Sequence, residues 1–225
     1  METKSSAGGM PEEANGHVLV IDDDADIRAS LDSLFRSADL RVTTFGDPSE
    51  FLEAQLPPSP CCLVLDVRLR ATDGLDFQKY LMESGANIPV IIITGHGDIP
   101  MTVKGMKAGA IDFLAKPFTE EAMLRAVSDA LSASGRYAEE QKKLSETKLL
   151  YASLSPREKE IMALVASGLM NKQIAGDLGL SLITVKIHRA NVMKKMAAQS
   201  LADLVRLADL LDIRDHAITR YGTRQ

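Results

Sequence analysis

The chain has 225 residues, of which 45% are hydrophobic and 25% are charged. This composition is typical of a globular protein and excludes a wholly disordered one. The formal net charge of −5 argues at first sight against a nucleic-acid binder, but the charge is unevenly divided. Residues 151–225 contain eleven Lys or Arg and seven Asp or Glu, a net charge of +4, which leaves −9 for residues 1–150. The asymmetry indicates an acidic module joined to a basic one.

The apolar runs and the cysteines of the sequence indicate the cellular compartment of the protein. No apolar run approaches the ~20 residues of a membrane helix, and residues 1–16 lack the apolar region of a signal peptide. We therefore expect a cytoplasmic protein with no membrane partner. Cys61 and Cys62 are adjacent and open an apolar run, so we predict small buried side chains in a reducing compartment rather than a disulfide or a metal site.

Short apolar runs alternate with segments of helical spacing after a polar tail at 1–16, which we predict to be disordered. The runs are rich in Val, Ile and Leu, as is typical of strands buried on both faces. The predicted strands are 17–22, 40–45, 61–66, 88–94 and 110–114, and the predicted helices are 25–38, 48–54, 74–84, 99–108 and 119–131. Five such units predict a parallel sheet covered by helices on both sides, with ligands at the carboxyl ends of the strands.

The pattern changes at residue 132. The sequence SASG at 132–135 is a predicted weak point, because glycine costs roughly 1 kcal/mol within a helix. Residues 136–148 are charged and favour a helix, but their apolar stripe is thin. We interpret 132–152 as a linker helix that continues the helix begun at Thr119; a coiled-coil dimerisation segment is the alternative.

Four short helices are predicted over 153–212, followed by a C-terminal tail at 213–225. The first has a strong start signal, with Ser155 as N-cap, Pro156 at the first helical position and Glu158 completing a capping box. It runs to about Ser167. The second spans 171–178, the third runs from 182 to about 196 after a Ser181 cap, and the fourth begins near 200. This region predicts a small all-α domain.

Five polar residues lie at or just past the ends of predicted strands: Asp22, Asp23, Asp66, Thr94 and Lys116. Taken singly, each has a plain explanation as a helix cap, a turn residue, a strand residue or a surface lysine. Together they place three carboxylates, a hydroxyl and an ammonium at the ligand-binding edge of the sheet. Clustered carboxylates suit a hard cation such as Mg²⁺, and the whole set suits phosphoryl transfer to an Asp carboxylate.

The motifs VLVIDDD (18–24), LVLDVRL (63–69), IIITGHGD (91–98) and DFLAKPF (112–118) resemble the signature blocks of response-regulator receiver domains. The resemblance covers roughly residues 17–131 and implies a flavodoxin-like (βα)5 fold with a five-stranded parallel sheet. It also implies that Asp66 accepts phosphate from the phosphohistidine of a sensor histidine kinase. Such a domain promotes only its own Mg²⁺-dependent phosphorylation and dephosphorylation, so we do not expect an enzyme.

The same resemblance assigns the neighbouring residues. Mg²⁺ would be held by Asp22, Asp23, Asp66 and the backbone carbonyl of Arg68. Lys116 and Thr94 would each hold a phosphoryl oxygen.

Two further positions follow from the resemblance. Phe113 stands where the family has a switch aromatic that turns inward when the threonine moves, although plain core packing explains Phe113 equally well. Arg70 departs from the family, which usually has proline there. That loss should loosen the loop beside Asp66 and alter the phosphate lifetime without removing any of the chemical groups.

Residues 168–196 are predicted to form a helix, a glycine-containing turn and a second helix, a geometry that places the second helix in the DNA major groove. Charge alone leaves open a generic three-helix module with a basic face. However, LSPREKEIMALVASGLMNKQIA (154–175) and LSLITVKIHRANVMKKM (180–196) resemble the LuxR/NarL-type helix-turn-helix domain. The resemblance implies base-facing residues at Lys186, Ile187 and Ala190, and residues near the phosphate backbone at Lys172, Gln173, Thr184, His188 and Arg189.

A receiver joined to this output domain resembles the FixJ/NarL subfamily, and residues 95–110 favour FixJ and the regulators of aromatic-compound catabolism. The resemblance implies a phosphorylation-controlled transcription factor. Its partners would be a sensor kinase, promoter DNA, RNA polymerase and a second copy, paired through the helix at 200–211 on phosphorylation or on DNA. The alternatives are a phosphotransfer intermediate or phosphatase, and a constitutive DNA-binding regulator whose receiver is weakly phosphorylated or not phosphorylated.

Overall fold

The computed structural model describes residues 16–70, 72–95 and 99–213, which divide into two units at Ala138. The tails predicted at 1–16 and 213–225 lie outside the described residues, apart from Gly16 and Ile213. Within the described part of the chain, no helix combines the length and apolarity needed to cross a membrane.

The first unit contains a five-stranded parallel sheet with the strand order β2-β1-β3-β4-β5. Its strands are β1 (His17–Ile21), β2 (Arg41–Phe45), β3 (Cys61–Asp66), β4 (Val90–Thr94) and β5 (Asp112–Ala115). The helices between them are α1 (Ala25–Ser37), α2 (Pro48–Glu53), α3 (Gly74–Glu83) and α4 (Ile99–Lys107). The parallel sheet predicted from the alternating pattern and the flavodoxin-like fold implied by the family resemblance are both confirmed.

Side chains alternate between the two faces of the sheet. Val18 and Val20 of β1 pack into one apolar cluster, while Leu19 and Ile21 pack into the other. Strands β1, β3 and β4 are buried almost throughout, and both cysteines are buried as predicted. The expectation of full burial is wrong for β2 and β5, which alternate or are half-exposed. Each of these is an edge strand with only one neighbouring strand, so helices and strands cover it less completely.

A single helix, α5 (Glu120–Ala152), continues from the first unit into the second. The linker helix is therefore continuous with the preceding helix as predicted, but the weak point at 132–135 does not interrupt it. Ser134 explains this locally. Its buried hydroxyl accepts the backbone N–H of Cys61 at 3.1 Å and lies 3.0 Å from the Ser59 hydroxyl, which ties this turn of α5 to the start of β3.

The second unit is helical beyond α5. It contains α6 (Pro156–Ala166), α7 (Asn171–Leu178), α8 (Leu182–Lys195) and α9 (Leu201–Leu210). The predicted capping box is present, because the Ser155 hydroxyl accepts the Glu158 N–H while the Glu158 carboxylate accepts the Ser155 N–H. Gly179 ends α7 with φ +62°, a left-handed conformation that favours glycine and turns the chain into α8.

Candidate functional site

Three carboxylates meet at the carboxyl edge of the sheet. Asp22 and Asp23 directly follow β1, and Asp66 is the last residue of β3. One oxygen from each lies within 4.8 Å of the others, with Asp22 and Asp66 buried and Asp23 partly exposed. Parallel strands bring these residues together because their carboxyl ends meet at one edge. The plain capping role falls instead to Asp24, whose carboxylate accepts the N–H groups of Asp26 and Ile27.

Lys116 is the cation within this cluster. Its Nζ donates to Asp22 Oδ2 at 2.7 Å and lies 3.0 Å from Asp66 Oδ1. Burial raises the pKa of the Asp66 carboxyl, and the Lys116 ammonium only partly offsets this. Burial also opposes the charge on Lys116, but the hydrogen bonds that the ammonium donates to the carboxylates of Asp22 and Asp66, together with their negative charge, outweigh this and raise the pKa of the ammonium. Lys116 neutralises only one of the three negative charges, so the cluster still suits a divalent cation, for which the exposed Arg70 guanidinium beside Asp23 would compete.

Backbone contacts orient the two buried carboxylates. Asp22 Oδ1 accepts the N–H of Asp24 at 2.8 Å, and Asp66 Oδ2 accepts the N–H of Arg68 at 2.9 Å. The second contact brings the Arg68 backbone to the cluster, where its carbonyl was predicted as a ligand. Gly74 at the start of α3 lies so close to this loop that a Cβ there would collide with the Asp66 carbonyl oxygen.

Thr94 and Phe113 lie on the neighbouring strands. Thr94 ends β4, is fully buried, and has its hydroxyl 4.0 Å from Met101 Sδ; its carbonyl accepts the Lys116 N–H at 2.7 Å. Phe113 on β5 is partly buried, and its ring edge faces Gly105 of α4, 3.5 Å from the position that a Cβ would take. The Phe113 side chain therefore lies next to α4, and its role as a switch stays a prediction.

Arg70 makes a contact with Asp23 that the sequence analysis did not predict. Its Nε lies 3.1 Å from Asp23 Oδ2, although the side chain is 83% exposed. The sequence analysis considered only that Arg70 stands where the family usually has proline. A cation four residues after Asp66, in a region with several carboxylates, was the available signal.

The helix α8 carries the predicted base-facing residues. Lys186, Ile187 and Ala190 are all exposed, and their spacing places them on one face. Ile183 extends that face by one turn and was missed, although its spacing of four residues from Ile187 was visible in the sequence.

The residues predicted near the DNA backbone differ in their surroundings. Lys172 is exposed on α7. Arg189 donates to Asn171 Oδ1 at 2.9 Å, which ties α8 to the start of α7. Gln173 accepts the Met170 N–H and Thr184 bonds to the Ser181 hydroxyl, so both stabilise helix starts. The Nδ1 atom of His188 is buried and has no hydrogen-bond partner among the described residues.

Comparison with known proteins decides the family. A model described as "Response regulator receiver domain" matches residues 18–128, and one described as "Bacterial regulatory proteins, luxR family" matches residues 152–208. The chain is also 52% identical, over 87% of its length and 86% of the relative's, to Nodulation protein W of Bradyrhizobium diazoefficiens. The chain is a response regulator of the FixJ/NarL type.

Other relatives of this response regulator agree. It is 44% identical to Transcriptional regulatory protein FixJ of Azorhizobium caulinodans, over 91% of its own length and 96% of that protein's. Among solved structures, the response regulator StyR matches with a TM-score of 0.76 and 45% identity, over 86% of this chain and 98% of that one. Full-length FixJ from B. japonicum matches with a TM-score of 0.53 and 41% identity, over 89% and 98%.

The two matched domains define the general role of this response regulator. It is a two-component transcription regulator with a LuxR-type DNA-binding domain, and its type implies a histidine kinase as partner. Proteins of this family regulate transcription rather than act as ordinary enzymes.

Proposed function

We propose that Asp66 accepts a phosphoryl group from a sensor kinase's phosphohistidine, and that the phosphorylated receiver controls how the C-terminal domain binds promoter DNA. The observation that carries the proposal is the Lys116 ammonium lying between the buried carboxylates of Asp22 and Asp66. A buried carboxylate held beside a cation, at the ligand-binding edge of a parallel sheet, is suited to act as a nucleophile.

The chemistry follows from these groups. An oxygen of the ionised Asp66 carboxylate attacks phosphorus, the P–N bond breaks, and its electron pair leaves with the imidazole nitrogen, which takes a proton from solvent. Lys116 and Thr94 then hold two of the phosphoryl oxygens. Asp22, Asp23, Asp66 and the Arg68 carbonyl would hold Mg²⁺, which supplies the charge that neutralises the phosphoryl oxygens. The three carboxylates fit this role because one oxygen from each already lies within 4.8 Å of the others.

Transmission of the signal uses Thr94 and Phe113. When the Thr94 hydroxyl moves towards the phosphoryl group, the Phe113 ring fills the vacated space. Because that ring faces Gly105, the movement changes the surface of α4. Phosphate thereby favours a dimer, paired through the helix at 200–211.

On DNA, α8 enters the major groove. Lys186, Ile187 and Ala190 face the bases, while the phosphate contacts come from Lys172, Gln173, Thr184, His188 and Arg189. RNA polymerase is the further partner. Because it acts on promoter DNA and RNA polymerase, the protein functions in the cytoplasm. Its functional domains are the receiver at 17–131 and the DNA-binding domain at 153–212, joined by a linker at 132–152.

The full chain and the Asp66→Asn variant are each incubated with acetyl phosphate and Mg²⁺. Mass spectrometry of the intact chain then measures phosphorylation, and a binding titration measures affinity for DNA duplexes that the full chain selects from a random pool. We expect acid-labile phosphate and tighter DNA binding in the unchanged chain, and neither in the variant, because the amide is isosteric but a poor nucleophile. Asp26→Asn, which changes an exposed carboxylate of α1, is the matched control. It should be labelled like the unchanged chain, so that a loss of labelling is specific to Asp66.

Labelling of Asp66→Asn to the same extent as the unchanged chain contradicts the assignment of Asp66. DNA binding by an unchanged chain that takes up little or no label would instead favour the constitutive regulator, and full labelling with no change in DNA affinity would contradict control by the phosphorylated receiver.

A further inference from the structure

Three large apolar side chains of α8 are exposed, and the two most exposed are isoleucines. Ile183 is 71% exposed and Ile187 is 56% exposed, whereas Ile161 and Ile174 of the same unit are fully buried. Their spacing of four residues places them one above the other on the same face of the helix. Leu182, 44% exposed, adjoins them at the first position of α8.

The two isoleucines are exposed side by side rather than singly. Single exposed apolar residues are common on protein surfaces, but contiguous ones rimmed by polar groups mark interaction sites. The rim here includes the exposed side chain of Lys186 and the helix-capping hydroxyl of Ser181. Neither isoleucine belongs to the core of the unit, since the buried core residues in α8 are Val185 and Val192, joined by Met196 at its C-cap. The exposed pair therefore contributes to a contact outside the unit rather than to folding.

The position along the helix indicates what that contact is. In helix-turn-helix proteins, the N-terminal residues of the recognition helix reach the base edges. Ile183 is the second residue of α8, so it stands where base contact is closest. An isoleucine has no hydrogen-bonding group, and the one apolar group in the major groove is the C5 methyl of thymine.

We infer that Ile183 and Ile187 each pack against a thymine methyl group, so that Ile183 is a specificity-determining residue of this regulator. The inference rests on the proposed entry of α8 into the major groove. Four residues of helix rise by about 6 Å, and base pairs are about 3.4 Å apart. The two thymines therefore lie within about two base steps of each other in each half-site.

The experiment uses the phosphorylated full chain and duplexes that it selects from a random pool. Each thymine of the selected site is replaced singly by deoxyuridine, which removes the methyl group and keeps every hydrogen-bonding atom. We expect affinity to fall about fourfold at two positions, the effect of burying one methyl-sized group. Ile183→Ala should abolish the effect at one position and Ile187→Ala at the other, whereas Ile183→Val should keep it.

Leu149→Ala is the matched control, because Leu149 of α5 is 70% exposed and lies outside α8. It should leave the thymine-to-uracil profile unchanged. If Ile183→Ala keeps the profile of the unchanged chain at every position, or if that chain shows no methyl effect, the inference is overturned while DNA binding stands. If the unchanged chain selects no sequence from the pool, the proposed function fails as well.

Discussion

Asp66 lies beside carboxylates that differ in their surroundings. Asp22 is buried and paired with Lys116, whereas Asp23 is partly exposed and paired with Arg70. The exposed pair is the more easily broken, because water screens it and long side chains lose entropy in forming it. We therefore expect a cation to reach the three carboxylates by displacing Arg70 from Asp23 rather than Lys116 from Asp22.

Removing the Arg70 charge should strengthen Mg²⁺ binding. In Arg70→Gln, the guanidinium no longer competes for Asp23 Oδ2, and an exposed pair is worth up to about 1 kcal/mol, so we expect affinity to rise about two- to fivefold. The measurement is a Mg²⁺ titration followed by NMR shifts of amides near Asp66. Arg36→Gln, which removes an exposed pair with Asp32 elsewhere on the unit, is the control. Equal affinities for both variants would show that Arg70 does not compete.

Glu158 gives a pH-dependent contribution to the second unit. The hydrogen bond from Lys195, followed by that from the Ser155 N–H, lowers the pKa of Glu158 below its ordinary value of 4.5. A lowered carboxyl pKa contributes stability that is present above the ordinary value and is lost as pH falls through the lowered one.

Glu158→Gln should therefore lower the free energy of unfolding of this unit by about 1–2 kcal/mol at pH 7. Below pH 4.5 the difference should shrink as the native carboxylate becomes protonated. Urea unfolding followed through NMR signals of α6 measures it, with the exposed Glu160→Gln as control. A difference that does not change with pH would contradict a charge-based contribution.

At the scale of elements, helix α5 contains a residue of low helix propensity that tertiary contacts compensate. Glycine is a poor helix former, yet the helix passes through Gly135 because neighbouring residues such as Leu131 and Ser134 are buried against the sheet. Tertiary packing supplies what the local sequence lacks, as is general for protein helices.

Gly135→Ala should stabilise α5 by about 0.5–1 kcal/mol, since no described atom, apart from its chain neighbours and its own helix turn, lies within 4 Å of the added Cβ. Gly74→Ala should do the opposite, because its Cβ would meet the Asp66 carbonyl oxygen. Thermal unfolding of both variants against the unchanged chain is the measurement. Destabilisation by Gly135→Ala would mean that the glycine is needed for a reason other than helix formation.

At the scale of the whole molecule, an acidic N-terminal half and a basic C-terminal half share one chain. The basic half suits the phosphates of DNA, and the acidic half carries the carboxylates of the proposed phosphorylation site. For the receiver to control the DNA-binding domain, phosphorylation must stabilise the active state relative to the inactive one. A change in the ratio of active to inactive molecules from 1:99 to 99:1 requires about 5.5 kcal/mol.

Phosphorylation should convert the full chain from monomer to dimer, because the proposed change at α4 and the proposed pairing at 200–211 would both favour two copies. Analytical ultracentrifugation with and without acetyl phosphate measures this, and Asp66→Asn should stay monomeric. The selected DNA should contain half-sites about one helical turn apart. An unchanged sedimentation coefficient after complete labelling of Asp66 would contradict control through dimerisation.

Much of the fold and of the candidate site could be predicted from the sequence because the relevant signals are local. Apolar runs and helical spacing indicated the βα alternation, the Ser155 capping box marked a helix start, and the signature blocks placed Asp22, Asp66 and Lys116 at strand ends. In a parallel sheet, a position at a strand end is enough to predict which residues meet.

Other features were decided only by the tertiary structure. The exposure of β2 and β5 depends on strand order, since edge strands have one neighbour. The pairing of Arg70 with Asp23 joins residues 47 apart in sequence, and the contact of Cys61 with Ser134 of the uninterrupted α5 joins residues 73 apart. The exposure of Ile183 likewise depends on which face of α8 the rest of its unit covers. Sequence periodicity describes neighbours along the chain, whereas these contacts depend on how distant segments pack.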